Sequence, residues 1–115
     1  MTPTHAANAI AHVDIFGPEI EALTTFYRDT LGWDIAPKGP GYALVSTPEG
    51  GPDGALVEAE TPAMVMGVVV EDLDAAVAAA VEHGGTIVMP PVDNGWVVKA
   101  RIADPAGNPL TLIQR

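Results

Sequence analysis

Apolar positions along this chain follow two rhythms, and the pair is written twice. His12-Val13-Asp14-Ile15-Phe16 alternates polar and apolar like a strand, and Gly17-Pro18 break the run. Ile20, Leu23, Tyr27 and Leu31 follow at helical spacing, with Pro18 where a first helical turn tolerates it and Gly32 where a helix usually stops. The pattern predicts strand one from about Ile10 to Phe16 and helix one from about Glu19 to Leu31. Three strands come next: Trp33 to Ala36, Tyr42 to Thr47, and Ala55 to about Glu60. Lys38-Gly39-Pro40-Gly41 is the turn between the first two. The Gly- and Pro-rich segment Pro48 to Gly54 reads as a mobile loop.

The outline returns fifty-three residues later. Val65 to Val70 is an almost wholly apolar strand, and Asp72 caps a helix running to about His83. Ala76, Val77, Ala80 and Val81 form its stripe, and Gly84-Gly85 stop it. Strands at Thr86 to Met89, Trp96 to Ile102 and Leu110 to Gln114 follow, with loops at Pro90 to Gly95 and Asp104 to Pro109. Residues 1–8 carry no periodicity and read as a loose arm. The expected fold is α+β: two tandem βαβββ modules, 9–60 and 63–115, packed as one domain because neither buries its sheet face alone. Phe26 and Tyr27 are expected in its core.

Composition narrows the classes. At 115 residues and 48% hydrophobic content the chain is one domain's length with enough apolar mass for a core. The absence of cysteine excludes disulfides, thiolate metal sites and a cysteine nucleophile. No apolar run is long enough to span a bilayer, and no basic segment precedes an apolar signal core, so a cytoplasmic location is expected. Fifteen acidic against five basic residues give a formal charge of −10, which repels nucleic acid and anionic lipid and suits either solubility or a cationic ligand.

The chain resembles the vicinal oxygen chelate superfamily, which groups glyoxalase I, extradiol dioxygenases, fosfomycin-modifying enzymes and bleomycin-binding resistance proteins. The residues that carry the resemblance are His12 ahead of the run Phe26 to Trp33, the string Val70-Glu71-Asp72-Leu73-Asp74-Ala75-Ala76, the pair Gly84-Gly85, and Asp104-Pro105-Ala106-Gly107-Asn108. The resemblance implies curved mixed sheets around an open cleft, and a homodimer. In the metal-dependent members it implies one divalent ion, held by residues from the first and fourth strands of each half. Carried across at an offset of fifty-three, those positions are His12 and Val65 on the first strands and Glu58 and Thr111 on the fourth, with Glu60 as an alternative to Glu58 on the same strand face. Valine offers no donor, and threonine is a poor substitute for a carboxylate. No cofactor is therefore assigned, a divalent metal is disfavoured, and His12 with Glu58 would be its ligands if one binds. A glyoxalase I or extradiol dioxygenase activity is disfavoured with it.

The catalytic candidates are His12, Asp14 and Glu58; Asp14 shares a strand face with His12 by alternation. Tyr42, Glu60, Val65, Trp96 and Thr111 are the ligand-contacting candidates. Lys99 and Arg101 alternate on one face of a strand and read either as binders of an anionic group or as a solvated outer face, while His5 and His83 read as surface residues. Three functions fit: an acid/base enzyme acting on a small keto or enolisable compound without a tightly held metal; a protein that sequesters a cationic or planar small molecule; and a metal-dependent lyase or dioxygenase with a reduced ligand set.

Overall fold

Gly17 and Pro18 end β1 (Ile10–Gly17), and the chain turns directly into α1 (Ile20–Leu31). Then follow β2 (Asp34–Gly39), β3 (Tyr42–Ser46) and β4 (Asp53–Glu58), and the same succession returns as β5 (Ala63–Val70), α2 (Leu73–Glu82), β6 (Thr86–Asp93), β7 (Val98–Ala103) and β8 (Pro109–Gln114). This computed structural model describes residues 6–115, so His5 lies outside the described residues. The chain divides into two compact units, one spanning His12–Val65 and the other Met66–Arg115 together with residues 6–11. Each carries one strand-helix-three-strand module, as the doubled pattern predicts.

In the first unit the strand order is β2-β3-β4-β1, with β1 and β4 parallel and the remaining pairs antiparallel. A parallel pair needs a long crossover, and α1 with the β2–β3 hairpin supplies it. Register sorts the side chains into two faces. The rows Val13–Gly54–Val45–Ile35 and Ile15–Leu56–Ala43 lie on one face. There Ile15, Ile35, Ala43, Val45 and Leu56 are buried against Ile20, Leu23 and Tyr27 of α1. The other face carries the rows Asp14–Ala55–Leu44–Ala36 and Phe16–Val57–Tyr42. Tyr27 stacks on Trp33 with centroids 5.2 Å apart and planes 5° from parallel. Phe26, expected in the core, is instead 56% exposed and meets Tyr27 only by an edge at 5.1 Å. Its position falls outside the stripe that faces the sheet.

The second unit has the order β5-β8-β7-β6 and the same two-faced logic. Val70, Leu73, Val77, Ala100, Ile102 and Leu112 form its core, with Ala76 and Ala80 letting α2 pack close. Both helices take a cap from the last strand of their own module. Ile20 N–H donates to Glu58 Oε1 at 3.2 Å, and Leu73 N–H donates to Gln114 Oε1 at 2.8 Å. Asp72 adds a local cap, accepting from Ala75 N–H at 3.1 Å. Glu58 lies level with Gly17, and Gln114 lies level with Val70. The first strands therefore repeat at an offset of fifty-three, as expected, but the fourth strands repeat at fifty-six, from 58 to 114. The structural counterpart of Glu58 is Gln114, not Thr111; unequal loops inside the modules cause the drift.

Several boundaries differ from expectation, and β4 runs Asp53–Glu58 rather than Ala55 to about Glu60. β6 continues through Pro90-Pro91 to Asp93, with register shifts between Ile87 and Met89 and between Met89 and Val92. It is the last strand in the order of its sheet, where proline's missing donor and a bulge are tolerated. β7 starts at Val98, leaving Trp96 in the preceding turn, and β2 runs through Lys38 to Gly39. In the N-terminal arm, Asn8 N–H donates to Val69 O at 2.6 Å and Val69 N–H to Ala9 O at 3.0 Å, so its described end is tied to β5.

The β7–β8 turn closes on Asp104, whose carboxylate accepts from Asn108 Nδ2 and from the N–H groups of Ala106 and Asn108, each at 2.9 Å. These bonds, the Asn108 side chain first, hold its carboxyl below the ordinary range. Asp72→Ala is expected to lower the unfolding free energy by about 1 kcal/mol through loss of the α2 cap, read by urea denaturation.

Candidate functional site

The open face of the first sheet is the face without a helix, and β1 places His12, Asp14 and Phe16 on it by alternation. His12 Nε2 lies 2.9 Å from Asp14 Oδ1. With Asp14 ionised, Nε2 carries the proton and donates it, which leaves Nδ1 as the acceptor nitrogen. The pair is partly sheltered, with side-chain exposures of 26% for His12 and 13% for Asp14. A carboxylate so placed fixes both the tautomer and the plane of the ring.

Tyr42 stands on the same face, across Val57 from Phe16. Burial pushes its phenol above the ordinary value of 10.0, and the negative charge of Asp14 pushes it in the same direction. The phenol therefore stays protonated at neutral pH and offers an O–H donor on the face that carries the His12–Asp14 pair, within electrostatic reach of Asp14. One imidazole with an acceptor nitrogen, one carboxylate that orients it and one neutral phenol are the parts of a proton-transfer site.

The structure does not bring Glu58 to His12. Glu58 is on the helix side of the sheet, level with Gly17, five residues along β1 from His12 or about 16 Å at strand rise. Its carboxylate is engaged at the positive end of α1. Glu60 lies beyond the end of β4 and is exposed. Val65 is buried on β5.

In the second unit Thr111 is buried on the open face, level with Gly67 and Arg101, and its hydroxyl lies 3.4 Å from both Arg101 Nε and Nη2, which donate to it. Arg101 is thus half-buried rather than a solvated outer residue, a placement its alternation with Lys99 left open. Trp96 is 71% exposed on a turn fixed by Asn94 Oδ1, which accepts from Trp96 N–H and Val97 N–H at 3.0 Å each. His83 Nδ1 contacts Ala79 O at 2.7 Å at the end of α2, a structural role.

Among the described residues no group of three or more His, Asp or Glu side chains is placed to hold a metal ion. The open face of the first sheet offers an imidazole and a carboxylate already bonded to each other, where a catalytic divalent ion ordinarily takes three protein ligands. This donor set does not fit such an ion.

The sequence matches the model of the Glyoxalase/Bleomycin resistance protein/Dioxygenase superfamily over residues 9–112. The chain belongs to that superfamily. Solved structures agree on the fold. Methylmalonyl-CoA epimerase from Mycobacterium tuberculosis aligns with a TM-score of 0.75 at 20% identity, over 99% of this chain and 92% of that one. An extradiol ring-cleaving dioxygenase from B. fuscum aligns at 0.76 and 22% identity, over 98% of this chain and 35% of that one. The Mn(II)-bound glyoxalase from Novosphingobium aromaticivorans aligns at 0.77 and 18% identity, over 94% and 39%. None of the curated proteins matches the sequence. The superfamily thus holds proteins named for unlike chemistries on one fold, and the residues of the site must separate them.

Titration of the tyrosines by ultraviolet absorbance is expected to show Tyr42 ionising above pH 10, with Asp14→Asn moving it back toward that value. The folded chain holds this proton more tightly than the unfolded one. The stabilisation it brings is therefore complete below about pH 10 and lost as pH rises through the folded value.

Proposed function

We propose that this chain is an acid/base enzyme that removes and returns a proton on a small enolisable carbonyl compound without a tightly held metal. The observation that carries the proposal is the 2.9 Å His12–Asp14 bond on the open face of the first sheet, with the neutral phenol of Tyr42 on that same face and within electrostatic reach of Asp14. His12 Nδ1 takes the proton from the carbon next to the carbonyl. Asp14 stabilises the imidazolium that forms, and the Tyr42 O–H donates to the developing enolate oxygen. Return of the proton to the neighbouring carbon gives an isomerase outcome, and its delivery to the same carbon from the opposite face gives an epimerase outcome. Epimerisation is the activity named for one structural neighbour, methylmalonyl-CoA epimerase. A charge of −10 works against a polyanionic coenzyme A ester, so a neutral or cationic substrate is favoured here. We place the protein in the cytoplasm as a homodimer, with no nucleic-acid or membrane partner.

A sequestering role is the second reading. The same charge favours it, since it would draw in a cationic or planar compound that leaves unchanged.

Nuclear magnetic resonance of a panel of small 2-keto and 1,3-dicarbonyl compounds in heavy water separates the two. The proposal expects deuterium at the enolisable carbon of at least one compound. His12→Ala should lower that rate by about a hundredfold or more, the usual worth of a general base. Glu58→Gln should leave the rate within about twofold, since that residue caps a helix. Saturable binding without exchange would favour sequestration and sink the enzyme reading.

A further inference from the structure

On the helix side of the first sheet the row Val13–Gly54–Val45 has no side chain at its centre. A Cβ at Gly54 would collide with the carbonyl oxygen of Val13, so the close approach of β1 and β4 requires glycine there. The notch it leaves opens into a cavity of about 450 Å³, within the usual range for small-molecule sites. Trp33 and Tyr27, already stacked face to face, contribute an aromatic wall, and Met64 lines the opposite rim. The segment 47–52 closes one side. It is folded on itself, with Thr47 Oγ1 donating to Pro52 O at 2.6 Å and Gly51 N–H to Pro48 O at 3.0 Å. These bonds shape the segment that lines the cavity.

We propose that this cavity is a second ligand site, separate from the His12 face, that takes a planar aromatic cation. The wall of stacked rings matches a flat apolar body, which would extend the stack or meet its edge. Charge decides the sign. The lining carries the exposed Glu49 and no Lys, Arg or His, on a chain of net charge −10; Asp53 borders the cavity where β4 begins, with its register position level with His12. A desolvated cation beside indole and phenol rings gains further from the ring quadrupoles. An anion of the same shape gains none of this and meets the Glu49 carboxylate in the lining. Met64 is 67% exposed, and thioether sulfur adapts to an aromatic edge, so the rim accommodates ligands of somewhat different outline.

The cavity is reached by fluorescence. Trp33 and Trp96 are the two tryptophans, and Trp96 is 71% exposed, so Trp96→Phe leaves Trp33 as the reporter without touching the core. The probe is thioflavin T, a planar benzothiazolium cation, with 1-anilinonaphthalene-8-sulfonate as the planar anion. The expected result is saturable quenching of Trp33 by thioflavin T at one dye per chain, with the anion at least about tenfold weaker. Met64→Arg, a change at an exposed rim position, should weaken the cation by about tenfold or more. His12→Ala should leave dye binding within about twofold, so failure of this site and failure of the proposed reaction show separately. Absence of saturable quenching, equal affinity for the anion, or undiminished binding by Met64→Arg would each overturn the assignment.

Discussion

The parallel pairing of the first and last strand of each module is the constraint on which the other features depend. Parallel strands impose a crossover, and the crossover puts a helix on one face of the sheet. The helix must then satisfy its first N–H groups at the end where β1 or β5 finishes. In both modules the last strand supplies the acceptor, Glu58 for α1 and Gln114 for α2. One side chain thus ties helix start, strand register and face assignment together. A one-residue slip of β4 would send Glu58 to the open face, strand the Ile20 amide and turn Leu56 out of the core. Gln114 strengthens its side of the arrangement by also donating to Glu71 O at 2.7 Å.

Once the register is set, chemistry falls to what remains on the open face. His12, Asp14 and Tyr42 arrive there from two strands, and two of the three are coupled by a bond that orients the imidazole. The sheltered pair and the phenol, kept neutral first by burial and then by Asp14, share a face with Phe16, Ala36, Leu44, Asp53, Ala55 and Val57. A low-dielectric surround strengthens each of these polar interactions. In the second module the corresponding face carries Arg101 on the buried Thr111 hydroxyl, so the two modules share a scaffold and differ in charge sign. The two modules match in their helix caps and differ in the polar residues of these faces.

Much of the fold was legible because it is local. Strand alternation, the Asp72 cap, the Gly32 stop and three of the four stripe positions of the first helix, Ile20, Leu23 and Tyr27, each depend on a few neighbouring residues and appear near their expected positions, while Leu31 at the helix end is exposed. That His12 and Asp14 share a strand face was legible for the same reason, since spacing two within one strand dictates it; the bond between them was not. What escaped depends on distant partners. The drift of three residues between the fourth strands accumulates in loops of unequal length, so Glu58 was matched with Thr111 when its counterpart is Gln114. A side-chain acceptor for a helix start thirty-eight residues away leaves no local mark. Pro90 and Pro91 signal a loop in sequence and a bulged edge strand in space. Gly54 did carry a signal, a glycine where a strand begins, but its meaning required knowing that Val13 lies beside it.

The central claim is that Asp14, not Glu58, sets the state of His12. Nitrogen-15 resonance of the His12 ring near pH 8, in wild type, Asp14→Asn and Glu58→Ala, tests it directly. The account predicts an Nε2-protonated tautomer in wild type, the same tautomer in Glu58→Ala, and a mixed tautomer in Asp14→Asn. A ring that changes state on loss of Glu58 and ignores loss of Asp14 would contradict it.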